Sequence, residues 1–324
     1  MRARTLSTSF GPDGGSSGAG EGSGLADAAG VLLELGKMMR LQVDVRPDDR
    51  LFWFSTTGWM MWNLVISTLL TPAAVVLYDG NPGHPDMGVL WDLAETAGIT
   101  TFGVGAAYIH ACMKAGVVPR EGRDLSALRA VGSTGSPLSP EGFAWLYEHL
   151  GPDLWLFSTS GGTDVCTAFV GGVPTLPVYE GELQGPALGA KLESWDEAGE
   201  PLHGEVGELV LTEPMPSMPV MFWGDPDGSK LREAYFDHYP GIWRHGDWIT
   251  LNHRGGAVIS GRSDATINRG GVRMGTAELY RVVLAEPEIT DALVVDLPRE
   301  GTDGEMLLFV ALADGEQLTD ELIG

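Results

Sequence analysis

The chain has 324 residues, of which 44% are hydrophobic and 20% are charged, which is enough apolar material for about two domains of ordinary size. Its 44 acidic residues outnumber its 20 basic ones and give a formal net charge of −24. A surface this acidic repels phosphate backbones, so non-specific binding to nucleic acid or to anionic membranes is excluded, whereas binding of a single nucleotide is not.

Residues 1–29 are rich in glycine and serine and show no apolar periodicity, which predicts a flexible lead-in. They contain no apolar stretch of the kind that a secretion signal needs. The uncharged stretch from Leu51 to Tyr78 is interrupted by Gly58, Asn63 and Pro72. This pattern indicates buried strands and a buried helix of a parallel sheet rather than a membrane span, and we expect a cytoplasmic protein.

From residue 30 to residue 165, apolar strand patterns alternate with helical ones, which predicts an α/β domain built on a parallel sheet. A first amphipathic helix begins near Val31. The predicted strands and helices then follow one another as strand Leu51–Ser55, helix Met60–Leu70, strand Ala74–Tyr78, helix Met87–Ala97, strand Ile99–Val104, helix Ala106–Lys114, strand Leu128–Ser133, helix Pro140–Leu150 and strand Leu154–Ser158.

Residues 166–261 have a different character, because they are rich in glycine and proline and show only short strand patterns. They predict a small, mostly β subdomain with strands at Ala187–Leu192, Glu208–Leu211, Trp248–Leu251 and Ala257–Ser260. Residues 262–324 then predict the start of a small α+β domain, with a helix at Ala277–Ala285 and strands at Ala292–Leu297 and Met306–Ala313.

Several common site motifs are absent from the sequence. Neither Gly18/Gly20 nor Gly103/Gly105 continues into a dinucleotide-binding G-x-G-x-x-G, and the seven histidines form no zinc-binding pattern. Cys112 and Cys166 are far apart and outside any C-x-x-C, so we interpret them as buried, reduced thiols.

Two glycine-rich turns stand at the carboxyl ends of predicted strands, where open α/β sheets bind ligands. They are GSTGSP (132–137) and STSGGTD (158–164). Glycine lets a ligand approach the backbone, the Thr163 hydroxyl can bind a phosphate, and the Asp164 carboxylate suits Mg²⁺. Taken alone, each turn is better explained as a plain connection than as a site.

A third cluster runs through WRHGDW (243–248), GRSD (261–264) and RGGVR (269–273). Here Asp247 could hold a ribose diol, and the arginines could bind phosphate oxygens through two hydrogen bonds each. A solvated loop with ordinary surface charges is the alternative, and His245 is interpreted as a surface or packing histidine.

Four segments in this order resemble the adenylate-forming acyl-CoA synthetases, the AMP-dependent synthetase and ligase family, and within it the branch that activates acetoacetate. They are TTGWMMWN (56–63), STSGGTDVCTAFVGG (158–172), WRHGDW (243–248) and GRSDATINRGGVRMGTAELYRVV (261–283). The resemblance implies part of an adenylate-forming large domain, made of a parallel sheet and a β subdomain, followed by a truncated small C-terminal domain. It implies ATP, Mg²⁺ and CoA as reactants, with adenylation of acetoacetate and transfer of the acyl group to CoA.

The resemblance also assigns roles to individual residues. Thr163 would contact the α-phosphate and Asp164 would hold Mg²⁺, and these two would carry catalysis. The remaining nucleotide-binding positions would be Gly135, Ser136, Pro137, Gly162, Asp247, Arg262 and Arg273. Acyl-pocket positions would be Trp59, Met60, Met61 and Gly161, with Gly271 beside CoA and Asp264 as the hinge of the small domain.

The sequence departs from the family pattern in three places. Residues 7–24 contain no lysine where the family has a phosphate loop ending in Pro-Lys, and Ser160 stands where relatives place an aromatic residue against adenine. The C-terminal catalytic lysine of the family would fall beyond Gly324. We therefore expect an internal fragment, and a catalytically inactive nucleotide-binding remnant or a synthetase for another short acid are alternatives.

Overall fold

The structure is a computed structural model that describes residues 24–26, 28–263, 267–269, 272–274, 276–299, 302–313, 315–316 and 319. Within it the chain divides into two compact units, one of residues up to 245 together with 249–259, and one of residues 246–248 together with those from 260 onward. Among the described residues, no helix is both long enough and apolar enough to cross a bilayer.

The first part of the chain alternates strands and helices, as the sequence predicts. Its elements are β1 (Gly24–Ala26), α1 (Ala28–Lys37), a π-helical turn (Met38–Gln42), β2 (Arg50–Trp53), α2 (Met61–Ser67), a 3-10 turn (Thr68–Leu70), β3 (Ala74–Val76), α3 (Val89–Ala97), β4 (Thr101–Gly105), α4 (Ala106–Lys114), β5 (Ala130–Thr134), α5 (Pro140–Leu150) and β6 (Trp155–Ser158).

Strands β2 to β6 form a five-stranded sheet in the order β3-β2-β4-β5-β6, and all of its neighbouring strands are parallel. This confirms the predicted parallel sheet. The carboxyl ends of β5 and β6 are therefore adjacent, with Ser133 in register with Ser158. The turns that follow these two strands consequently leave the sheet side by side.

Both faces of this sheet are covered by apolar side chains, as expected for a parallel sheet. Helices α3, α4 and α5 pack on one face, where Trp91 stacks on Phe102 at 4.4 Å between ring centroids. The π-helical turn and α2 pack on the other face around Trp53. Two-sided burial explains why the sequence from Leu51 onward is so uniformly apolar.

One row of side chains across the second face explains two glycines. Trp53, Gly103, Gly132 and Phe157 are in register on β2, β4, β5 and β6. A Cβ atom on Gly103 would lie 2.1 Å from the Trp53 ring, and one on Gly132 would lie 2.6 Å from it. The indole of Trp53 thus lies flat across both glycines, so Gly103 is a packing residue.

Strong local signals mark the ends of helix α5. The Ser139 hydroxyl accepts the backbone N–H of Gly142 at 3.2 Å, and Pro140 occupies the first turn. Gly151, at φ +93°, ends the helix in a conformation that favours glycine. These signals fix α5 at the predicted residues, Pro140–Leu150.

The β-rich part follows, with one short helix among its strands. Its elements are β7 (Ser160–Gly162), β8 (Thr167–Gly171), β9 (Gly185–Pro186), β10 (Leu192–Trp195), β11 (Val206–Leu211), β12 (Pro219–Phe222), α6 (Ser229–Tyr235), β13 (Trp243–Leu251) and β14 (Ala257–Arg262). Strands β7, β8 and β9 form one sheet, and the order β10-β11-β13-β14 forms another.

Two details in this first unit differ from the sequence prediction. Residues Ala187–Leu192 do not form a strand, because a turn with Gly189 at φ +84° occupies them and β10 begins only at Leu192. In the range 1–29, residues 24–26 form β1, which pairs with β12 through Leu25 and Met221. Residues 1–23 lie outside the described part of the chain.

The second unit contains one short hairpin, one long hairpin and one helix among its described residues. Its elements beyond β14 are β15 (Ile267–Arg269), β16 (Val272–Met274), α7 (Thr276–Val283), β17 (Ile289–Arg299) and β18 (Thr302–Leu312). β17 and β18 form a long antiparallel hairpin in which Leu293 lies opposite Phe309. The predicted α+β content is present, and both hairpin strands are longer than predicted.

Candidate functional site

The candidate site lies at the carboxyl edge of the parallel sheet, where turns from β2, β5 and β6 meet. The turn after β5 carries Gly135, Ser136 and Pro137, all exposed, with Gly135 at φ +86°. A Cβ atom on Gly135 would lie 3.5 Å from the ring of Trp59, which precedes α2. The structure thus brings the predicted acyl-pocket segment against the predicted nucleotide turn.

Hydrogen bonds join the two glycine-rich turns where they leave the sheet. The Thr134 hydroxyl donates to the carbonyl oxygen of Thr159 at 2.8 Å, and the Thr159 N–H donates to the carbonyl oxygen of Ser133 at 2.9 Å. These bonds continue the β5–β6 ladder beyond the strand ends and hold the two turns together.

Within the second turn, the predicted residues differ in exposure. Thr163 is exposed, Asp164 is half-buried, and Gly161 and Gly162 belong to β7. The carbonyl oxygen of Thr163 accepts the N–H of Cys166 at 3.1 Å, which closes the turn. Thr163 is therefore an exposed residue of a closed turn, where a ligand can reach it.

Gly161 is held against its neighbouring strand. A Cβ atom at this position would lie 2.1 Å from the carbonyl oxygen of Thr167 on β8. The packing of β7 on β8 therefore requires glycine here, independently of what an acyl pocket requires. Ser160, at the start of β7, is half-buried.

The predicted acyl-pocket residues on and before α2 are only partly available to a ligand. Met61 is 4% exposed and belongs to the apolar core on the Trp53 face of the sheet. Trp59 and Met60 are half-buried and pack against the same core. Of these three, Trp59 has its ring against the nucleotide turn, at Gly135.

Three aromatic residues that the sequence did not single out as a group support the second turn. Tyr235 on α6 donates its hydroxyl to Asp164 Oδ2 at 2.5 Å, and its ring stacks on Trp243 at 3.6 Å. His245 Nε2 lies 3.1 Å from the carbonyl oxygen of Gly161. His245 is 7% exposed, so of the two predicted alternatives it is a packing histidine rather than a surface one.

The position of Tyr235 depends on a cap that is visible in the sequence. Asp225, only 3% exposed, accepts the N–H groups of Lys230 and Leu231 at 3.1 and 3.0 Å through its two carboxylate oxygens. Aspartates shortly before a glycine and a serine, here Asp225 and Asp227 ahead of Gly228 and Ser229, are an ordinary helix-start signal. It could have predicted α6, although nothing in the sequence links that helix to Asp164.

The remaining predicted residues belong to the second unit. Asp247 is 7% exposed, and its Oδ1 lies 3.4 Å from Arg262 Nη1, so the structure pairs these two residues. Arg273 lies on β16 opposite Asn268. Asp264 and Gly271 lie outside the described residues.

Asp164 is the predicted Mg²⁺ ligand, and its surroundings fit that chemistry. Among the described residues, no three His, Cys, Asp or Glu side chains are grouped as a metal cage would require. Mg²⁺ in nucleotide sites is usually held by one or two carboxylates together with substrate phosphates. A single half-buried carboxylate beside an exposed threonine hydroxyl matches that donor set.

The family profile of AMP-binding enzymes matches residues 28–219, which is more than half of the chain. The chain belongs to the AMP-binding enzyme family. The matched range contains the parallel sheet and both glycine-rich turns, and it ends before Tyr235, Trp243 and His245.

Individual relatives agree with this assignment. The chain is 50% identical to an acetoacetyl-coenzyme A synthetase of Rhizobium meliloti over 295 residues, which cover 91% of this chain and 45% of that protein. It superposes on the acetoacetyl-CoA synthetase from Streptomyces lividans with a TM-score of 0.85 at 53% identity, covering 93% of this chain and 46% of that one. The chain thus spans somewhat less than half the length of these relatives.

A more distant solved structure has the same fold. An anthranilate CoA ligase in complex with anthranoyl-AMP superposes with a TM-score of 0.77 at 19% identity, covering 95% of this chain and 58% of that one. This likeness confirms the predicted adenylate-forming fold of an AMP-binding enzyme.

Proposed function

We propose that this AMP-binding enzyme chain carries the acetoacetate-activating site of an acetoacetyl-CoA synthetase: it binds ATP with Mg²⁺, adenylates acetoacetate and passes the acyl group to CoA. The observation that carries the proposal is the joined pair of turns after β5 and β6, with Trp59 against Gly135 and Thr163 exposed beside Asp164. Relatives at 50% and 53% identity bear the name of that enzyme.

The first step is substitution at phosphorus. A carboxylate oxygen of acetoacetate bonds to the α-phosphorus of ATP, the bond to the bridging oxygen breaks, and pyrophosphate leaves. The five-coordinate phosphorus gains negative charge on its oxygens, so donors and cations directed at it lower the barrier. The Thr163 hydroxyl supplies such a donor, and Asp164 would hold Mg²⁺, which neutralises phosphate charge when bound.

The second step is acyl transfer, in which the CoA sulfur bonds to the acyl carbon and AMP leaves with the electron pair of the broken bond. In the proposed assignment Gly135, Ser136, Pro137 and Gly162 line the nucleotide, and Asp247 binds the ribose hydroxyls. Arg262 and Arg273 would act near the ribose and phosphate. The acyl group would be lined by Trp59, Met60, Met61 and Gly161. Gly271 would lie beside CoA, and Asp264 would form the hinge of the small domain.

The test is turnover by the purified 324-residue chain, with ATP, Mg²⁺, CoA and acetoacetate, measured as AMP and acetoacetyl-CoA by chromatography. Acetate and butyrate are run in parallel. Asp164→Asn should lower turnover by at least tenfold, because it replaces the carboxylate that would hold Mg²⁺ with a neutral amide. Asp153→Asn is the matched control, since Asp153 is exposed and precedes β6 at the opposite end of the strand.

Three results would change the proposal in different ways. ATP binding by calorimetry without any product would favour a nucleotide-binding protein that does not turn over. Faster turnover of acetate or butyrate would assign another short acid. Failure of a folded sample to bind ATP at millimolar concentration would overturn the proposed function.

A further inference from the structure

The turn at residues 161–164 is held at both of its ends by aromatic side chains from the β-rich part of the same unit. At its first residue, the carbonyl oxygen of Gly161 lies 3.1 Å from His245 Nε2. At its last residue, Asp164 Oδ2 accepts the Tyr235 hydroxyl at 2.5 Å. Between these two bonds, Thr163 is exposed.

Trp243 links the two supporting residues. Its ring stacks on Tyr235 with 3.6 Å between centroids and 13° between planes, and its indole Nε1 lies 3.5 Å from His245 Nδ1. Trp243, His245 and Tyr235 are 2%, 7% and 8% exposed. Side chains buried and stacked in this way keep their rotamers, so the three form one rigid support for the turn.

The hydrogen bonds of His245 require one tautomer. A carbonyl oxygen only accepts, so Nε2 carries the proton that is donated to Gly161. Nδ1 then accepts the indole N–H of Trp243, which only donates. Both contacts are satisfied by the neutral imidazole protonated on Nε2, and the other tautomer would leave both unsatisfied.

The histidine ring also shapes the turn by contact. A Cβ atom on Gly162 would lie 2.7 Å from His245 Cε1, so the ring packs directly on the glycine backbone. The ring of Phe169 packs edge to face against the His245 ring, with 4.6 Å between the two ring centroids. The backbone of Gly161 and Gly162 therefore has little room to move.

We propose that Tyr235, Trp243 and His245 are positioning residues for this site: Tyr235 sets the rotation of the Asp164 carboxylate that would hold Mg²⁺, and His245 fixes the backbone that presents Thr163 to the α-phosphate. The inference rests on the proposed function, because a turn that only connects two strands would not need its side chains and backbone held in this way. Tyr235 and His245 would act through Asp164 and the Gly161 backbone, and Trp243 through its contacts with these two residues.

Tyr235→Phe tests the Asp164 half of the proposal, because it removes one hydroxyl and keeps the stack on Trp243. Calorimetry on the full chain should show ATP binding in Mg²⁺ weakened about tenfold, with little change in EDTA. Tyr239→Phe is the matched control, since Tyr239 is 7% exposed and donates its hydroxyl to the Asp196 carbonyl oxygen at 2.7 Å, away from the turn. A role in folding alone would weaken both ATP titrations equally.

His245→Gln and His245→Leu test the backbone half. Glutamine can still donate an amide N–H to the Gly161 carbonyl oxygen, so it should restore at least half of the ATP affinity that leucine loses. Nitrogen-15 NMR of the wild-type chain at pH 7 should show His245 protonated on Nε2.

The outcomes separate the two proposals. Binding of ATP by the wild-type chain with equal affinities in Tyr235→Phe and Tyr239→Phe would overturn the positioning role and leave the proposed function standing. A His245 signal from the Nδ1 tautomer or from imidazolium would do the same. No ATP binding by the wild-type chain would remove the proposed function, and the positioning role with it.

Discussion

Gly161 shows at the scale of one residue that a glycine in a site can serve packing first. Its missing Cβ points at the backbone of β8, 2.1 Å from the Thr167 carbonyl oxygen. The expectation that this glycine enlarges an acyl pocket is therefore still a prediction, because strand packing already requires glycine there. Substrate preference has to be tested by turnover rather than inferred from this position.

Gly161→Ala should destabilise the chain by about 1–3 kcal/mol, the usual cost of forcing extra atoms into a packed region. The reason is that β7 must move away from β8 to admit the methyl group. Urea unfolding measures the change. Gly36→Ala on α1 is the control, since a Cβ there meets nothing within 4 Å, and it should leave stability unchanged or raise it by about 1 kcal/mol. Equal stabilities of Gly161→Ala and wild type would show that the contact is absent.

Cys166 gives a second prediction at this scale. The residue is 4% exposed and has no disulfide partner, and burial raises the pKa of its thiol to about 11. The thiolate fraction at pH 8 is then about one in a thousand, and the thiolate is the form that reacts. Iodoacetamide should therefore leave Cys166 unmodified in the folded chain at pH 8 and label it after urea is added, as mass spectrometry can show. Rapid labelling of Cys166 without urea would contradict the pKa shift.

At the scale of elements, the sequence predicted helices better than the strands of the β-rich part. Helices α4 and α5 match the predicted residues because their apolar periodicity, and in α5 also the Ser139 cap, are local signals. Ala187–Leu192 has a strand-like composition, yet Gly189 adopts a positive φ that ends any strand. The pairing of β1 with β12 joins segments that are far apart in the chain, which no local pattern encodes.

The same distinction applies to the candidate site. Glycine-rich turns after strands are local signals, so Gly135 and Thr163 were predicted at the edge where the structure places them. Tyr235 comes 71 residues after Asp164 and reaches it only through the fold. Supporting residues of this kind are missed because their role depends on tertiary contacts.

The amino edge of the sheet is fixed by Asp49 and Arg129, which join the segments before β2 and β5. Asp49 Oδ1 accepts Arg129 Nε at 3.0 Å and the Thr100 hydroxyl at 2.8 Å, and Asp49 Oδ2 accepts the Arg46 N–H at 2.6 Å. Burial acts to raise the pKa of Asp49, but these hydrogen bonds and the Arg129 charge lower it below its ordinary 3.8. The folded chain therefore stabilises the ionised carboxylate of Asp49.

Asp49→Asn should cost about 3 kcal/mol at pH 7, since it removes the buried carboxylate of the pair and leaves the Arg129 guanidinium to the half-buried Asp44 carboxylate at 3.5 Å. A lowered pKa in the folded state contributes stability above pH 3.8 that is lost as the pH falls through the folded value. Wild-type stability should therefore fall toward the variant's as the pH drops below 3.8. Urea unfolding of the wild type and of Asp49→Asn at pH 7 and pH 3 measures their free energies of unfolding. A difference between the two proteins that is as large at pH 3 as at pH 7 would contradict the lowered pKa of Asp49.

At the scale of the whole molecule, the sheet has an edge strand beside exposed apolar side chains. β3 is the end of the strand order, and Leu77 directly after it is 57% exposed. The neighbouring 3-10 turn carries Leu69 at 72% exposure and contacts β3. Unpaired edges next to apolar side chains promote association between chains, and here the net charge of −24 opposes it.

Apolar attraction at the sheet edge and repulsion between the negatively charged chains together predict association that depends on salt. Added salt screens repulsion between surfaces separated by more than about 10 Å at 0.1 M and leaves apolar contacts intact. The chain should therefore sediment as a monomer at low ionic strength and as larger species at 0.5 M NaCl. Leu69→Lys with Leu77→Lys should abolish the larger species, because both changes place charge beside the β3 edge. Val206→Lys is the control, an equally exposed apolar residue at 56% on β11. Equal suppression by the control would show that the association does not depend on the edge of the sheet.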